Sequence, residues 1–320
     1  MRRNIGLKSL LCLLVLWLSD NANAAQHKTL GASNVSPLQV EEIVPGIFVA
    51  VGATELVNSD NHGHIANLGF IIGDNSVAVI DTGGSLFVGK RLRAAIESQT
   101  SLPIRYVINT HAHPDHFFGN AAFADIGAEF IAHDRFNNAL AQRGPHYLTA
   151  NELLVGTDNF SGTTLLPATQ TVASELIVDL GNRTIRVIAH PTAHTDNDVI
   201  VVDESTKTAF LGDLLFMDHV PALDGSLKGW MTVMDKLAQQ DFERVVPGHG
   251  PASAPWPEAM KPQIRYLQIL ISDLRRSIAD GASINEASRL AGREERDAWS
   301  LFETFNTRNA TTGFAELEWE

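Results

Sequence analysis

Between Asn109 and His116 the chain reads Asn-Thr-His-Ala-His-Pro-Asp-His, which puts His111, His113, Asp115 and His116 within six positions. Neutral imidazole and carboxylate are the donors that a divalent zinc or iron ion accepts at neutral pH. The run just upstream, Ile104–Ile108, is apolar and β-branched in the main and reads as a buried strand, so the four side chains sit where a strand ends. His111 and His113 are two apart, and an extended backbone points both the same way. Pro114 then ends the ladder and forces a turn, which swings Asp115 and His116 round to face the same spot from another side.

Such a cluster calls for further ligands elsewhere. His194, Asp213 and His249 answer: each follows an apolar strand and lies beside a glycine or small residue. Seven donors exceed what one four-coordinate ion can use, whereas two ions can share them. We assign His111, His113 and His194 to a first ion, and Asp115, His116 and His249 to a second. Asp213 then bridges them. His62, His64 and His219 are secondary candidates for loops bordering a substrate. His133 and His190 read as structural, and Trp230 as core.

Strands must deliver these ends. Glu42–Val51, broken by Pro45-Gly46, reads as a strand pair, and Ala66–Ile72 with Val77–Ile80 as a hairpin. Ser85 caps a helix expected to reach Gln99. After the strand at 104–109, His116–Phe123 and Asp134–Gln142 read as helices on either side of a strand at Ala128–Ala132. Residues 144–170, rich in Thr, Gly and Pro, read as an irregular insertion or lid. Two hairpins follow, Leu176–Leu180 with Thr184–Ala189 and Val199–Val202 with Thr208–Leu211. A helix over Trp230–Ala238 and a strand at Arg244–Val246 come next. A long amphipathic helix over 256–280 carries Ile264, Leu267, Ile271, Leu274 and Ile278 on one stripe, and a short helix covers Ile284–Leu290. Alternating strands and helices predict a layered α/β fold.

The 320 residues can bury a large core, and a formal charge of −13 argues against nucleic acid and anionic membrane surfaces as partners. The first 24 residues read as a separate export signal: Arg2, Arg3 and Lys8, an apolar run Leu10–Leu18, then Ala22-Asn23-Ala24. That run is too short to span a bilayer, so stable membrane insertion is not expected. Removal of the segment, with three positive charges and one negative, takes the charge from −13 to −15 and removes Cys12, the sole cysteine. Any metal site in the mature chain must then be built from His and Asp. Residues 25–39 read as a flexible segment, and residues 40–320 as the folded domain, with C-terminal helices from 256.

The His-x-His-x-Asp-His cluster, followed by His194, Asp213 and His249 at later strands, resembles the metallo-β-lactamase-fold hydrolases. The resemblance spans roughly residues 40–275 and implies an αββα sandwich. It also implies that Asp81 steadies the ligand loop. Asp115-His116 together with Asp213 is similar to the glyoxalase II-like pattern. Class B1 lactamases have Cys at the position of Asp213 and Lys where this chain has Phe216, and class B3 lactamases have Ser at 213. The segments Ala66–Phe70, Leu223–Trp230 and Ala315–Glu320 resemble the exported quinoprotein relay system zinc metallohydrolases, which implies a place, and a partner protein, in a quinoprotein dehydrogenase pathway.

The implied activity is hydrolysis of an ester, thioester or lactam bond in a small molecule. A hydroxide shared by two zinc ions would attack the carbonyl while Asp115 orients it and passes on its proton. The alternatives are a β-lactam-hydrolysing lactamase, a di-iron redox enzyme holding Fe in the same ligands, and a non-catalytic pathway accessory. The export reading expects a periplasmic or secreted protein. Intact-mass measurement and N-terminal sequencing of the exported protein are expected to give Ala25 as the first residue.

Overall fold

The computed structural model describes residues 35–320, so the export signal read over 1–24 lies outside the described residues. Seven strands form one sheet in chain order: β1 (Glu41–Val44), β2 (Ile47–Ala50), β3 (Leu68–Ile72), β4 (Val77–Ile80), β5 (Ile104–Ile108), β6 (Glu129–His133) and β7 (Gln170–Val172). Six form the other, again in order: β8 (Glu175–Asp179), β9 (Thr184–Ala189), β10 (Val199–Asp203), β11 (Thr208–Phe216), β12 (Arg244–His249) and β13 (Ala254–Pro255). Both sheets are mixed. Pairing is parallel from β4 to β7 and between β11 and β12, and antiparallel elsewhere. The helices are α1 (Leu86–Gln99), α2 (Pro114–Phe117), α3 (Phe136–Val155), α4 (Thr157–Phe160), α5 (Leu227–Leu237), α6 (Lys261–Ala279), α7 (Ile284–Leu290) and α8 (Phe302–Leu317).

The strand sequences explain the layering. In β2, Ile47 and Val49 point between the sheets while Phe48 and Ala50 point outward, and β4 alternates likewise. The inter-sheet layer packs Val49, Ile71 and Ile108 against Val187, Val201 and Phe210. Outside the first sheet, Phe70 and Val79 meet Val88 and Leu92 of α1. Outside the second, Ile200 and Leu211 meet Trp230 of α5, Tyr266 of α6 and Phe314 of α8. Each fully buried side chain of this size contributes about 1.5–3 kcal/mol. Exposed ion pairs such as Lys261–Glu258 contribute about 0–1 kcal/mol. The layered apolar faces therefore hold the frame, and the result is the expected α/β sandwich with helices on both outer faces.

Four expectations change. Leu38 is 5% exposed and its N–H donates to the Arg91 carbonyl at 3.1 Å, so the folded unit starts before residue 40 and the end of the segment read as flexible is packed down. Residues 144–155 are not irregular: α3 runs through Pro145 to Val155. One lost backbone hydrogen bond at Pro145 is outweighed by the buried face of Phe136, Leu140 and Val155. The long C-terminal helix starts at Lys261, with Pro262 in its first turn, and its buried stripe is rotated to Gln263, Tyr266, Leu267, Leu270 and Leu274. Beyond Leu290 the C-terminal helices expected from 256 onward continue with α8.

The fourth change bears directly on the site. The strand expected to stop at Leu211 continues to Phe216, with its register against β12 shifting at Gly212. Gly212 has φ +51°, and a Cβ there would lie 2.7 Å from the Thr110 side chain, so the kink demands glycine. Past the kink, Gln263 replaces the lost ladder: its Oε1 accepts from Phe216 N at 2.8 Å and its Nε2 donates to Leu214 O at 2.8 Å. Gln263 is fully buried. Gln263→Leu, which leaves Phe216 N unpaired and Leu214 O with the Trp230 indole alone, is expected to lower unfolding free energy by about 1–3 kcal/mol in urea titration.

Candidate metal centre

Loops at one edge of the sandwich carry the site. Asp81, just after β4, adopts φ 55°, an uncommon conformation for a residue with a Cβ. Its carboxylate accepts from Thr110 N at 2.8 Å, Thr110 Oγ1 at 2.7 Å and His116 Nδ1 at 2.8 Å. The turn after β5 is thus tied down before any ligand is bound. Asn197 accepts from Ala112 N at 2.8 Å, which joins this turn to the loop carrying His194. Asp198 accepts from the backbone N–H and the hydroxyl of Thr195 and holds that second loop in shape.

The seven donors converge in two groups, each with its ligand atoms within 4.8 Å of one another: His111, His113, His194 and Asp213; and Asp115, His116 and His249. In the first, His113 Nδ1 lies 3.0 Å from both His111 Nε2 and His194 Nε2, and those two are 3.3 Å apart. In the second, Asp115 Oδ2 lies 3.5 Å from His116 Nε2 and 3.4 Å from His249 Nε2. Asp213 faces both. Its Oδ2 is 3.4 Å from His194 Nε2 and 3.7 Å from His111 Nε2, while its Oδ1 is 3.2 Å from His116 Nε2 and 3.5 Å from His249 Nε2. Gly248 packs against this carboxylate, and a Cβ there would lie 2.0 Å from Asp213 Oδ1.

Each imidazole has its other nitrogen committed to an oxygen. His111 Nδ1 faces Thr110 Oγ1 (3.1 Å), His116 Nδ1 faces Asp81, His194 Nδ1 faces Ala222 O (2.6 Å), His249 Nδ1 faces Ile65 O (2.9 Å) and His113 Nε2 faces Asp224 Oδ2 (3.2 Å). A neutral ring that donates from one nitrogen presents a lone pair on the other, so five nitrogens aim inward, each a lone-pair donor once it is free of a second proton. Lone pairs 3.0–3.3 Å apart repel unless a cation sits among them. His116 Nε2 and Asp213 Oδ1 are buried without a hydrogen-bond partner, an arrangement a bound cation would satisfy. The donor set therefore fits divalent metal.

Protonation differs between the groups. Burial holds His194 down to about 3 and His111 well below its usual value, so both are neutral. In the other group burial is outweighed by Asp213 and Asp115, which raise His116 and lift His249 to about 9. Burial also opposes ionisation of Asp115, but His116 and His249 keep it down at about 2.

A cavity of about 220 Å³ opens onto the centre, with Asp115, Asp213 and His249 on its floor and Tyr147, Phe305 and Arg308 on its walls. Larger hollows of about 310 and 450 Å³ by α1 and β5 are lined by no histidine. His219 lines the site cavity, stacked on Phe216 (5.4 Å) and His249 (5.2 Å). His62 and His64 do not line it. The loop folds on itself through Ala53 N to His64 O and His64 N to Asn61 O. His62 packs edge-on against Phe87 of α1, and the neighbouring Ile65 reaches the cavity instead. Trp230 is buried and donates to Leu214 O at 3.0 Å, as a core residue would.

The family description "Metallo-beta-lactamase superfamily" matches residues 63–249, more than half of the chain and nearly the whole ligand-bearing region. The chain belongs to the metallo-beta-lactamase superfamily. Its fold is shared with a metallo-beta-lactamase from Pontibacter korlensis (TM-score 0.59, 20% identity, covering 72% of this chain and 99% of that one). A metallo-beta-lactamase from Hirschia baltica gives TM-score 0.56 and 21% identity, covering 72% of this chain and 98% of that one. A curated relative, 2,4-dinitroanisole O-demethylase subunit alpha of Nocardioides sp. (strain JS1661), is 25% identical over 185 residues, covering 56% of this chain and 51% of that one. The chain thus spans about half the length of the curated relative it matches.

The candidate ligand set lies within the residues that match the metallo-beta-lactamase superfamily. Sequence reasoning missed Asp224, Asn197 and Gln263, because each acts across more than 45 positions of chain on a partner that only folding supplies. Asp224 lay in a segment noted for resemblance, but no local spacing ties it to His113. A cation entering the Asp115–His116–His249 group must displace protons from His116 and His249. Affinity there is expected to fall as pH drops below about 9, with proton release visible in calorimetry across buffers of different ionisation heat. The group with His111 and His194 already neutral is expected to depend less on pH across neutrality.

Proposed function

We propose that the protein is an exported hydrolase that holds two divalent cations, zinc or alternatively iron, and cleaves an ester, thioester or lactam bond in a small acyl substrate. One observation carries the two-cation reading: Asp213 turns one oxygen toward each donor group, Oδ2 at 3.4 Å from His194 and Oδ1 at 3.2 Å from His116. Residues His111, His113 and His194 would hold one ion, Asp115, His116 and His249 the other, with Asp213 between. When bound, such ions supply Lewis acidity toward a carbonyl oxygen and bring the pKa of a water to near neutrality.

The remaining chemistry belongs to the chain. Asp115, ionised and facing the cavity, is the acceptor for the proton of the attacking water and returns it to the leaving group. Tyr147 is held protonated, since burial raises its phenol, and offers an O–H to charge developing on the carbonyl oxygen. His219 donates Nδ1 to Val220 O at 2.5 Å, which turns Nε2 into an acceptor beside His249. Phe216 and Phe305 exclude water from that wall. Arg308 is the one permanent cation among the cavity-lining residues.

Export is supported by the sequence of residues 1–24, and a place in a quinoprotein pathway by the resemblance of residues 66–70, 223–230 and 315–320. The Nocardioides relative is named an O-demethylase subunit, so an aryl methyl ether belongs beside thioesters, lactones and nitrocefin in a substrate panel. Metal analysis with a visible absorption spectrum separates colourless zinc from iron. Asp115→Asn in metal-loaded protein is expected to lower turnover by about 10²–10⁴-fold with the circular dichroism spectrum unchanged. Full turnover in that variant would sink the proton-carrying role.

A further inference from the structure

We propose that α8, which begins more than fifty residues beyond the part of the chain that matches the family, is a working part of the metal centre: it holds the segment 220–226, that segment positions His113 and His194, and α8 thereby sets cation affinity at the His111–His113–His194–Asp213 group alone. The inference rests on the two-cation reading above.

The contacts form an unbroken chain. His194 Nδ1 donates to Ala222 O, and Asp224 N donates to His194 O at 3.0 Å. The Asp224 carboxylate meets His113 Nε2 at 3.2 Å. One short segment therefore sets the tilt of two ligand rings. From α8, Asn309 accepts from Leu223 N at 2.9 Å and donates to Pro221 O at 2.5 Å, and it is buried. Arg308 Nη2 donates to Asp224 Oδ1 at 2.9 Å, while Arg143 of α3 engages Oδ2. Glu316 accepts from Ser226 Oγ and from Leu227 N, both at 2.7 Å, and so closes the far end of the segment.

The two guanidiniums explain why Asp224 serves as a support and not as a ligand. With one oxygen on Arg308 and the other shared between Arg143 and His113, the carboxylate is pinned in one rotamer and its charge is met. It orients His113 Nδ1 inward without turning toward the cation itself. The other donors take no outer hydrogen bond from α8 or its segment: His111 leans on Thr110, His116 on Asp81 and His249 on Ile65, and α8 reaches His249 only through the stacking of Phe305 on His219. Loss of an outer partner of a ligating histidine costs about 10–100-fold in metal affinity. Selectivity between the two groups is therefore the signature.

The test uses the mature full-length chain loaded with Co²⁺ or Zn²⁺, competed against a chromophoric chelator, with bound metal counted per chain by mass spectrometry. Asp224→Asn is expected to weaken one of two equivalents by about 10–100-fold and leave the other unchanged. Arg308→Ala moves the same equivalent in the same direction, and Arg308→Lys restores part of the loss. Asp81→Asn, which removes the partner of His116 and of the Thr110 that backs His111, weakens both equivalents and serves as the non-selective contrast, and the cobalt absorption bands tell the two apart. Arg308 is 55% exposed, so its variants keep the test alive if Asp224→Asn fails to fold. Equal weakening of both equivalents by Arg308→Ala, or of neither, overturns the proposal. If the wild type binds a single equivalent, the two-cation reading fails. The proposal then survives only if Arg308→Ala weakens that equivalent. A wild type that binds none overturns both.

Discussion

Five imidazole nitrogens and two carboxylates aimed at a shared centre are a repulsive arrangement by themselves. The inward nitrogens of His111, His113 and His194 stand 3.0–3.3 Å apart, with their other nitrogens committed outward. Such a geometry is tolerable only where positive charge fills the middle, by protons on some rings or by metal ions. Much else in the structure serves to hold it: the unusual backbone of Asp81, the kink at Gly212, the amide of Gln263 and the clamp on Asp224.

The sandwich is well suited to this burden. Its two sheets share an apolar layer that is stiff because it is close-packed, and both are covered outside by helices. Strand ends emerge from that layer at fixed positions. Ligands then come from the turn after β5, from α2, β11 and β12, and from the loop before β10, and no single loop has to carry the geometry alone. The asymmetry in protonation has the same origin: Asp115, Asp213 and Asp81 crowd His116 and charge it, whereas His194 is buried against Trp230 and Phe216 and stays neutral.

Part of the cavity wall is drawn from a different part of the chain than its floor. Asp115, Asp213 and His249 come from within the family-matching residues, while Phe305 and Arg308 come from the C-terminal helix. Elements outside the family-matching residues thus help to shape the cavity over the ligands. The aromatic stack of Phe216, His219 and His249, completed by Phe305, joins the two.

By itself the sequence determined which residues could bind metal. His111, His113, Asp115 and His116 are close in the chain, and donor chemistry and coordination number are local properties. It also determined the layered α/β plan, because the unbroken apolar runs of β2, β4 and β10 mark strands buried on both faces, interleaved with helical segments. Only the tertiary structure decided how the site is supported and enclosed. Asp224 reaches His113, Gln263 reaches Phe216 and Asn309 reaches Leu223 across 111, 47 and 86 positions of chain. The path of α3 through Pro145 and the turning of His62 and His64 away from the cavity belong to the same class. Burial and long-range hydrogen bonds outweigh local preference at these places, and neither exists until the sheets have packed.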